Sequence, residues 1–290
     1  MSAFEYQKPA SLHEACSLRA EYGFSSRFLM GGTDLTVEMD QGLVAPRILI
    51  DLKGIEDLKE IREGNDEIII GAGLTFTELI RSPLAARHLP SLVEAARTVA
   101  SVGIRNVATL AGNICHAVPS ADEAAPLLIR DTELTAASVD GERTISIHDF
   151  FQGPRRTSLL EKELITEIHI KKNTKAFGEC YLKLGRYRGE DLAQVGVAVS
   201  VDEDFTYKIA YAAVAPVPLR ISEAEELLRG GSPGPDKLEA AVEVIRSTVA
   251  PIDDIRSSRD YRLYMCGVLF EKAVHTALRR MEQSKTGGRP

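Results

Sequence analysis

Clustered cysteine is what this sequence most plainly lacks. Its four cysteines, Cys16, Cys115, Cys180 and Cys266, are spread along 290 residues with no CxxC or comparable spacing, which argues against a metal site or iron–sulfur cluster of the chain's own. Isolated thiols are expected to stay reduced, as in a cytoplasmic protein. Dense basic runs are missing too. The net charge is -7 with a pI near 5.5, and short pairs such as Arg155-Arg156 and Lys171-Lys172 read as solvated edges, so no nucleic-acid surface is expected. No apolar run reaches the length of a membrane span; the longest, around Ile209 to Leu219, is short and broken by proline. The start, Met-Ser-Ala-Phe-Glu-Tyr, has neither the basic nor the apolar segment of an export signal. Tryptophan and internal repeats are absent. What is present, 44% hydrophobic and 27% charged residues, suits a folded chain able to bury a core and long enough for two domains.

The first positive signal is Phe28-Leu29-Met30-Gly31-Gly32-Thr33-Asp34-Leu35. A strand predicted over Arg27 to Met30 runs into a glycine pair, then two small polar residues and a helical turn from Thr33 to Asp40. Glycines allow positive φ and close backbone approach to an anion, while Thr33 and the amides after it can donate to phosphate oxygens. An ordinary tight turn has the same grammar, as does a helix capped by Thr33 and Asp34. Upstream, Ser11 is placed to cap a helix through Tyr22, with Gly23 as its stop. Downstream, Arg47 to Leu52 reads as a buried strand, so residues 1–55 are expected to form a β-α-β-like unit with the glycine turn at a strand end, where ligands sit in such sheets.

A hairpin is predicted from Leu58 to Arg62 and Glu67 to Ile70. The Gly71-Ala72-Gly73 that follows is not a dinucleotide fingerprint, because Phe76 stands at the third glycine position and a hairpin strand precedes it; Thr75 is expected to cap a helix Phe76 to Ile80. After a helix Ser91 to Ala100, the segment from Ser101 to Ala117 shows neither period and is read as a long irregular loop of the kind that carries function. Thr109 and Asn113 offer polar groups to a ligand there. Asp122 could accept from a ribose diol or, equally, cap a helix Glu123 to Arg130. A second hairpin spans Glu133 to Ile147 across Asp140-Gly141, and a strand runs Leu164 to Ile170. The irregular Lys171 to Ala176 marks a domain boundary. Beyond it, strands Glu179 to Lys183, Gln194 to Asp202 and Lys208 to Val214 lead to helices Ser222 to Leu228, Lys237 to Thr248 and Ser258 to about Met281. On the last helix Leu263, Gly267, Phe270, Val274 and Met281 share a core stripe.

Taken together, these segments resemble a known family. Met30 to Leu35, Ile104 to Asn113 with Pro119-Ser120-Ala121-Asp122, Asp149-Phe150-Phe151-Gln152-Gly153 with Thr157, Glu163 to Ile168, Lys183 to Ala193 and Ala215 to Arg220 are similar, in this order, to the flavoprotein subunits of molybdenum hydroxylases. That family includes the medium subunit of aerobic carbon monoxide dehydrogenase and the flavin domain of xanthine dehydrogenase. The resemblance implies an α+β fold: an FAD-binding PCMH-type (vanillyl-alcohol-oxidase-like) domain over 1–172, with subdomains 1–55 and 56–172. A C-terminal domain with a small antiparallel sheet and helices follows over 176–283, and then a flexible tail, 284–290.

The resemblance also implies the site. Leu29, Met30, Gly31, Gly32, Thr33, Asp34 and Leu35 fall around the FAD pyrophosphate and ribityl chain. Thr109, Gly112, Asn113 and His116 fall on the flavin nucleotide, Asp122 on the adenosine ribose, Leu164 and Ile165 beside the flavin ring, and Lys183 near it. Two positions depart from the pattern: Ala111 stands where a glycine is common, and Val99 where some relatives carry an aromatic residue. The implied role is an oxidoreductase subunit that moves electrons and needs no catalytic acid, base or metal of its own. FAD would pass electrons from a small [2Fe–2S] subunit, beside a large molybdopterin subunit, to NAD or another acceptor, in a dimer of heterotrimers. A scaffold that has lost the cofactor and a stand-alone flavin reductase are the other roles open to this fold.

Overall fold

The structure, a computed structural model, describes residues 3–187 and 189–287. Met1, Ser2, Arg188 of the Lys183 to Ala193 motif, and residues 288–290 of the expected tail lie outside the described residues. The described part of that tail does not start where expected, because the last helix continues to Lys285.

The N-terminal unit is a three-stranded parallel sheet with Ile48–Asp51 between Glu5–Gln7 and Ser26–Leu29. Ile48 and Ile50, fully buried, make the middle strand the core of this unit. The helix Leu12–Tyr22 packs beside it. Ser11 starts the helix by accepting a hydrogen bond from the Glu14 amide at 3.2 Å, and Gly23, at φ 51°, ends it. The β-α-β expectation holds, with the Leu35–Asp40 helix as the crossover between two parallel strands. The strand Glu5–Gln7 was not anticipated: its three residues are all exposed and show no alternation.

Five antiparallel strands form the second unit, in the order Ile61–Glu63, Glu67–Gly71, Leu164–Lys171, Glu133–Ser138, Gly141–Ser146. One face of this sheet, through Ile68, Ile70, Leu134 and Ile168, shares a core with Phe76, Leu79, Leu92 and Phe150. Gly71 and Gly73 serve packing: a Cβ on Gly71 would stand 2.3 Å from the Leu58 carbonyl oxygen, and one on Gly73 would stand 3.0 Å from it. Thr75 then caps Phe76–Arg81 in a reciprocal box with Glu78. Thr75→Ala is therefore expected to cost about 1 kcal/mol, seen as a fall of about 2 °C in the thermal midpoint; an unchanged midpoint would mean that the cap contributes nothing.

Two sequence expectations fail in this unit. The segment read as an irregular loop contains the helices Val102–Arg105 and Leu110–His116, started by Ser101 and Thr109. One or two turns are too short to display a 3.6 period, and Gly103 and Gly112 dilute it further. The helix Pro83–His88, capped by Ser82 with proline at its first turn, was also overlooked.

The C-terminal unit is an antiparallel sheet of Phe177–Leu184, Val195–Asp202, Tyr207–Ala212 and Leu219–Arg220, covered by Ser222–Leu228, Pro235–Thr248 and Arg259–Lys285. The long helix lies close on the sheet because Gly178 has no side chain: a Cβ there would meet the Ala277 carbonyl oxygen at 2.0 Å. The expected stripe is confirmed, with Gly267, Phe270, Val274 and Met281 buried and Leu263 at its half-buried edge. Polar contacts tie this unit to the second. Arg130 pairs with the buried Glu179, which also accepts from the Ser91 hydroxyl at 2.8 Å. Asp131 accepts from Lys208 at 2.5 Å and from Arg220 at 2.7 Å.

Candidate functional site

Where the three units meet lies a cavity of about 890 Å³. Its walls are the glycine turn and the helix after it, the start of Leu110–His116, the first residues of Leu164–Lys171, and Lys183 at the end of the first C-terminal strand. Every residue expected at the site lines this cavity except Leu29. Leu29 points behind the turn, where its Cδ1 would stand 2.8 Å from a Cβ placed on Gly32.

Gly31 and Gly32 work differently. A Cβ on Gly31 would lie 2.3 Å from the Val107 carbonyl oxygen and 2.8 Å from the Ala108 Cα, so the first loop rests directly on the backbone of the second. Gly32 sits at φ 70°, the left-handed region that glycine adopts without strain. The next helix begins with no side-chain cap from Asp34, so the capping alternative for that residue is not realised.

Thr109 begins Leu110–His116; its hydroxyl accepts from the Gly112 amide at 3.1 Å and is buried. One turn on, the Asn113 Oδ1 is buried on the cavity wall with no hydrogen-bond partner among the described residues. A buried carbonyl left unpaired costs about 1–3 kcal/mol, so this atom is open to a hydrogen bond from a ligand hydroxyl or N–H. His116 is less free: its Nε2 is 3.0 Å from Glu38 Oε1 and its Nδ1 is 3.5 Å from Asp34. Arg155 NH1 donates to the same Glu38 oxygen at 2.5 Å. His116 thus pins the second loop to the helix of the first.

Asp122 and Lys183, assigned by resemblance to opposite ends of the cofactor, form one unit. Lys183 Nζ donates to Asp122 Oδ2 at 2.8 Å and to the Thr98 carbonyl at 3.0 Å, and the Tyr181 hydroxyl donates to Asp122 Oδ1 at 2.7 Å. Bonded to each other, the two side chains share one part of the cavity wall. Burial pushes the Asp122 carboxyl above its ordinary range, opposed by Lys183 and Tyr181. Nor does Asp122 cap the following helix, which starts at Ala124 without a side-chain cap.

Leu164 and Ile165, both buried, complete an apolar wall with Val99 and Ile104. Sequence reasoning missed Arg155, Glu38 and Tyr181. Arg155 sits at φ 58° after Gly153-Pro154 and is 117 residues from the carboxylate it meets, a pairing no local pattern signals. The four cysteines are free thiols; burial raises those of Cys115, Cys180 and Cys266 to about 12, which keeps them unreactive.

The cavity is of the size that small-molecule sites reach, roughly 300–1,000 Å³. It joins a close-approach backbone, an unpaired acceptor, a donor–acceptor pair and an apolar wall. These features fit a large ligand with a phosphate, hydroxyls and a flat ring. Asn113→Leu should leave the ligand-free protein within about 1 kcal/mol of the parent, because the orphaned acceptor is removed, yet weaken ligand binding by about tenfold. Equal losses in both would show that Asn113 serves only the fold.

Comparison with known proteins agrees along the chain. The family described as FAD binding domain in molybdopterin dehydrogenase matches residues 2–171, and the CO dehydrogenase flavoprotein C-terminal domain matches residues 180–277. The chain is 32% identical over 279 residues to a xanthine dehydrogenase FAD-binding subunit of Escherichia coli O157:H7, covering 94% of this chain and 95% of that protein. It is also 32% identical to the carbon monoxide dehydrogenase medium chain of Hydrogenophaga pseudoflava, covering 96% and 98%. Among solved structures, carbon monoxide dehydrogenase from Hydrogenophaga pseudoflava superposes with a TM-score of 0.92 at 32% identity, over 96% of this chain and 98% of that one. Quinoline 2-oxidoreductase from Pseudomonas putida 86 gives 0.89 at 26% identity, over 98% of each.

Proposed function

The chain belongs to the FAD-binding subunits of the molybdenum hydroxylase family, the flavoprotein components of xanthine and carbon monoxide dehydrogenase-type oxidoreductases, and from this we propose that it relays electrons from a partner's [2Fe–2S] clusters to NAD or another acceptor. FAD is the cofactor, and the molybdenum and iron–sulfur centres belong to other subunits. Bound FAD supplies the exchange between one-electron donors and a two-electron acceptor.

This chain's residues hold and orient. The observation that carries the reading is the contact at Gly31, which closes two loops, from separate units, into one cradle. In it the backbone after Gly31-Gly32 receives the pyrophosphate, and Asn113 accepts from a hydroxyl or N–H. Lys183 and Asp122 offer a donor and an acceptor side by side. Leu164, Ile165 and Val99 keep water from the ring. Leu29, from behind, holds the glycine turn in shape.

The partners are a small [2Fe–2S] subunit and a large molybdopterin subunit, in a dimer of heterotrimers in the cytoplasm. Among the described residues no helix is long and apolar enough to cross a membrane. The intact loops weigh against a scaffold without cofactor. Purification from the native source tests the reading. It should bring down one Cys-rich and one molybdenum-bearing chain and show flavin absorbance; turnover by this chain alone would point instead to a self-sufficient flavin reductase.

A further inference from the structure

Three segments of the chain meet on one carboxylate at the cavity wall. Glu38, on the helix after the glycine turn, receives Arg155 NH1 at 2.5 Å and has His116 Nε2 at 3.0 Å, both on the same oxygen, Oε1. All three side chains line the cavity, as does Asp34, which stands 3.5 Å from His116 Nδ1. Arg155 comes from the turn after Gly153-Pro154. Its backbone amide donates at 2.8 Å to the carbonyl of Ala117, the residue that ends the helix Leu110–His116. Its φ of 58° is one that a residue with a side chain keeps only where the surroundings hold it, and such positions gather at functional sites.

Charge decides what this arrangement can do. Carboxylates outnumber lysines and arginines on the cavity wall, yet the pyrophosphate placed at Gly31-Gly32 is itself doubly negative. Several of those carboxylates are answered elsewhere: Asp122 by Lys183, Glu163 by Arg143, and Asp191 by the Arg186 and Leu192 amides. The other two arginines of the wall, Arg19 and Arg27, donate to backbone carbonyls and leave the acids beside the turn alone. Of those acids, Asp34 is 55% exposed and well screened by water, whereas Glu38 is only 17% exposed and keeps more of its field inside the cavity. His116 is charged only when protonated, but a guanidinium is charged at every working pH.

We propose that Arg155 is a positioning residue that acts through Glu38: it neutralises the carboxylate beside the glycine turn and so makes the turn receptive to a pyrophosphate. The inference rests on the reading that the cavity holds FAD. Removing the arginine bares the Glu38 charge and weakens binding. Replacing Glu38 by glutamine removes that charge, leaves an oxygen for both donors and frees the guanidinium, so binding holds or tightens. A pair that only fastened the loops together would weaken binding whichever partner was lost.

The test is FAD affinity of the full apo chain, followed by flavin fluorescence, for the parent, Arg155→Met, Arg155→Lys, Glu38→Gln and the double variant Arg155→Met with Glu38→Gln. Arg155→Met should bind FAD about tenfold or more weakly, Arg155→Lys like the parent, and Glu38→Gln at least as tightly as the parent. The double variant should recover most of what Arg155→Met loses, because no bare charge remains. Should Arg155→Met fold poorly, the direction of Glu38→Gln decides by itself. A tenfold loss in Glu38→Gln, or a double variant no better than Arg155→Met, overturns the proposal. ADP, which carries the pyrophosphate without the flavin, is the second probe, read by the shift it gives in the thermal midpoint; the variants should fall in the same order. If the parent binds ADP and not FAD, the cofactor reading fails while that order still decides the role of Arg155. If the parent binds FAD and the variants do not differ from it, the proposal is overturned and the cofactor reading stands; a parent that binds neither overturns both.

Discussion

Gly31→Val should lower FAD affinity by about 100-fold or more, the equivalent of about 2.7 kcal/mol. The added Cβ would meet backbone, not a yielding side chain, since Val107 O stands at 2.3 Å and Ala108 Cα at 2.8 Å. Relief requires the two loops to part, and parting them opens the cradle. Gly32→Val should do less: its Cβ meets the movable tip of Leu29, and the main cost is about 1–3 kcal/mol of strain at φ 70°. Gly42→Ala is the control for strain alone, because Gly42 has φ 72° with nothing within 4 Å of a Cβ. It should lose stability and keep its FAD. Flavin content per chain after purification, with fluorescence titration of the apo forms, reads all three. A Gly31→Val protein that keeps its full complement of FAD would reduce the loop contact to a packing detail.

Lys183→Met should destabilise the protein by about 3–5 kcal/mol, which is about 6–10 °C in the thermal midpoint. The Lys183 and Asp122 side chains are only 8% and 9% exposed, so removing the lysine strands a buried carboxylate whose remaining partner is the Tyr181 hydroxyl. Adding Asp122→Asn should restore most of the stability, because no unpaired charge is left, without restoring FAD affinity. That split between folding and binding is the informative result. If the double variant binds FAD like the parent, the pair serves only the fold. If Lys183→Met is as stable as the parent, Asp122 is not the buried, lysine-dependent group described above.

Much of this was legible in the residues themselves. Ser11, Thr75 and Gly23 act at the ends of their helices as their chemistry requires, and the Ser222–Leu228 helix spans the residues expected. Apolar runs such as Arg47 to Leu52 announced buried strands because burial on both sides leaves few other readings. What stayed hidden was set by contacts across the chain. Glu5–Gln7 is a strand because Ile48–Asp51 offers it an edge, and nothing within its own three residues says so. The segment 101–117 stands out in the sequence for its polar residues, which line the cavity, but its form is two short helices and not the loop expected.

The site follows the same division. Glycines and amides announced a cradle, but the neighbours that decide roles are distant: Asp122 with Lys183 lies 61 residues apart, and His116 with Glu38 lies 78 apart. The residues named by motif order line one cavity, Leu29 excepted. Only the geometry shows that Asp122 and Lys183 form one pair on the cavity wall and that His116 bonds across the junction between the loops.

The most direct measurement of the electron-relay role is the flavin absorbance of the isolated complex under anaerobic conditions. Reduction of the iron–sulfur partner, by substrate or by a chemical reductant, should bleach the flavin band, and a suitable acceptor, NAD being the first to try, should restore it. A flavin band that stays unchanged while the clusters are reduced would contradict the relay and leave this chain a flavin-binding component without a place in the electron path.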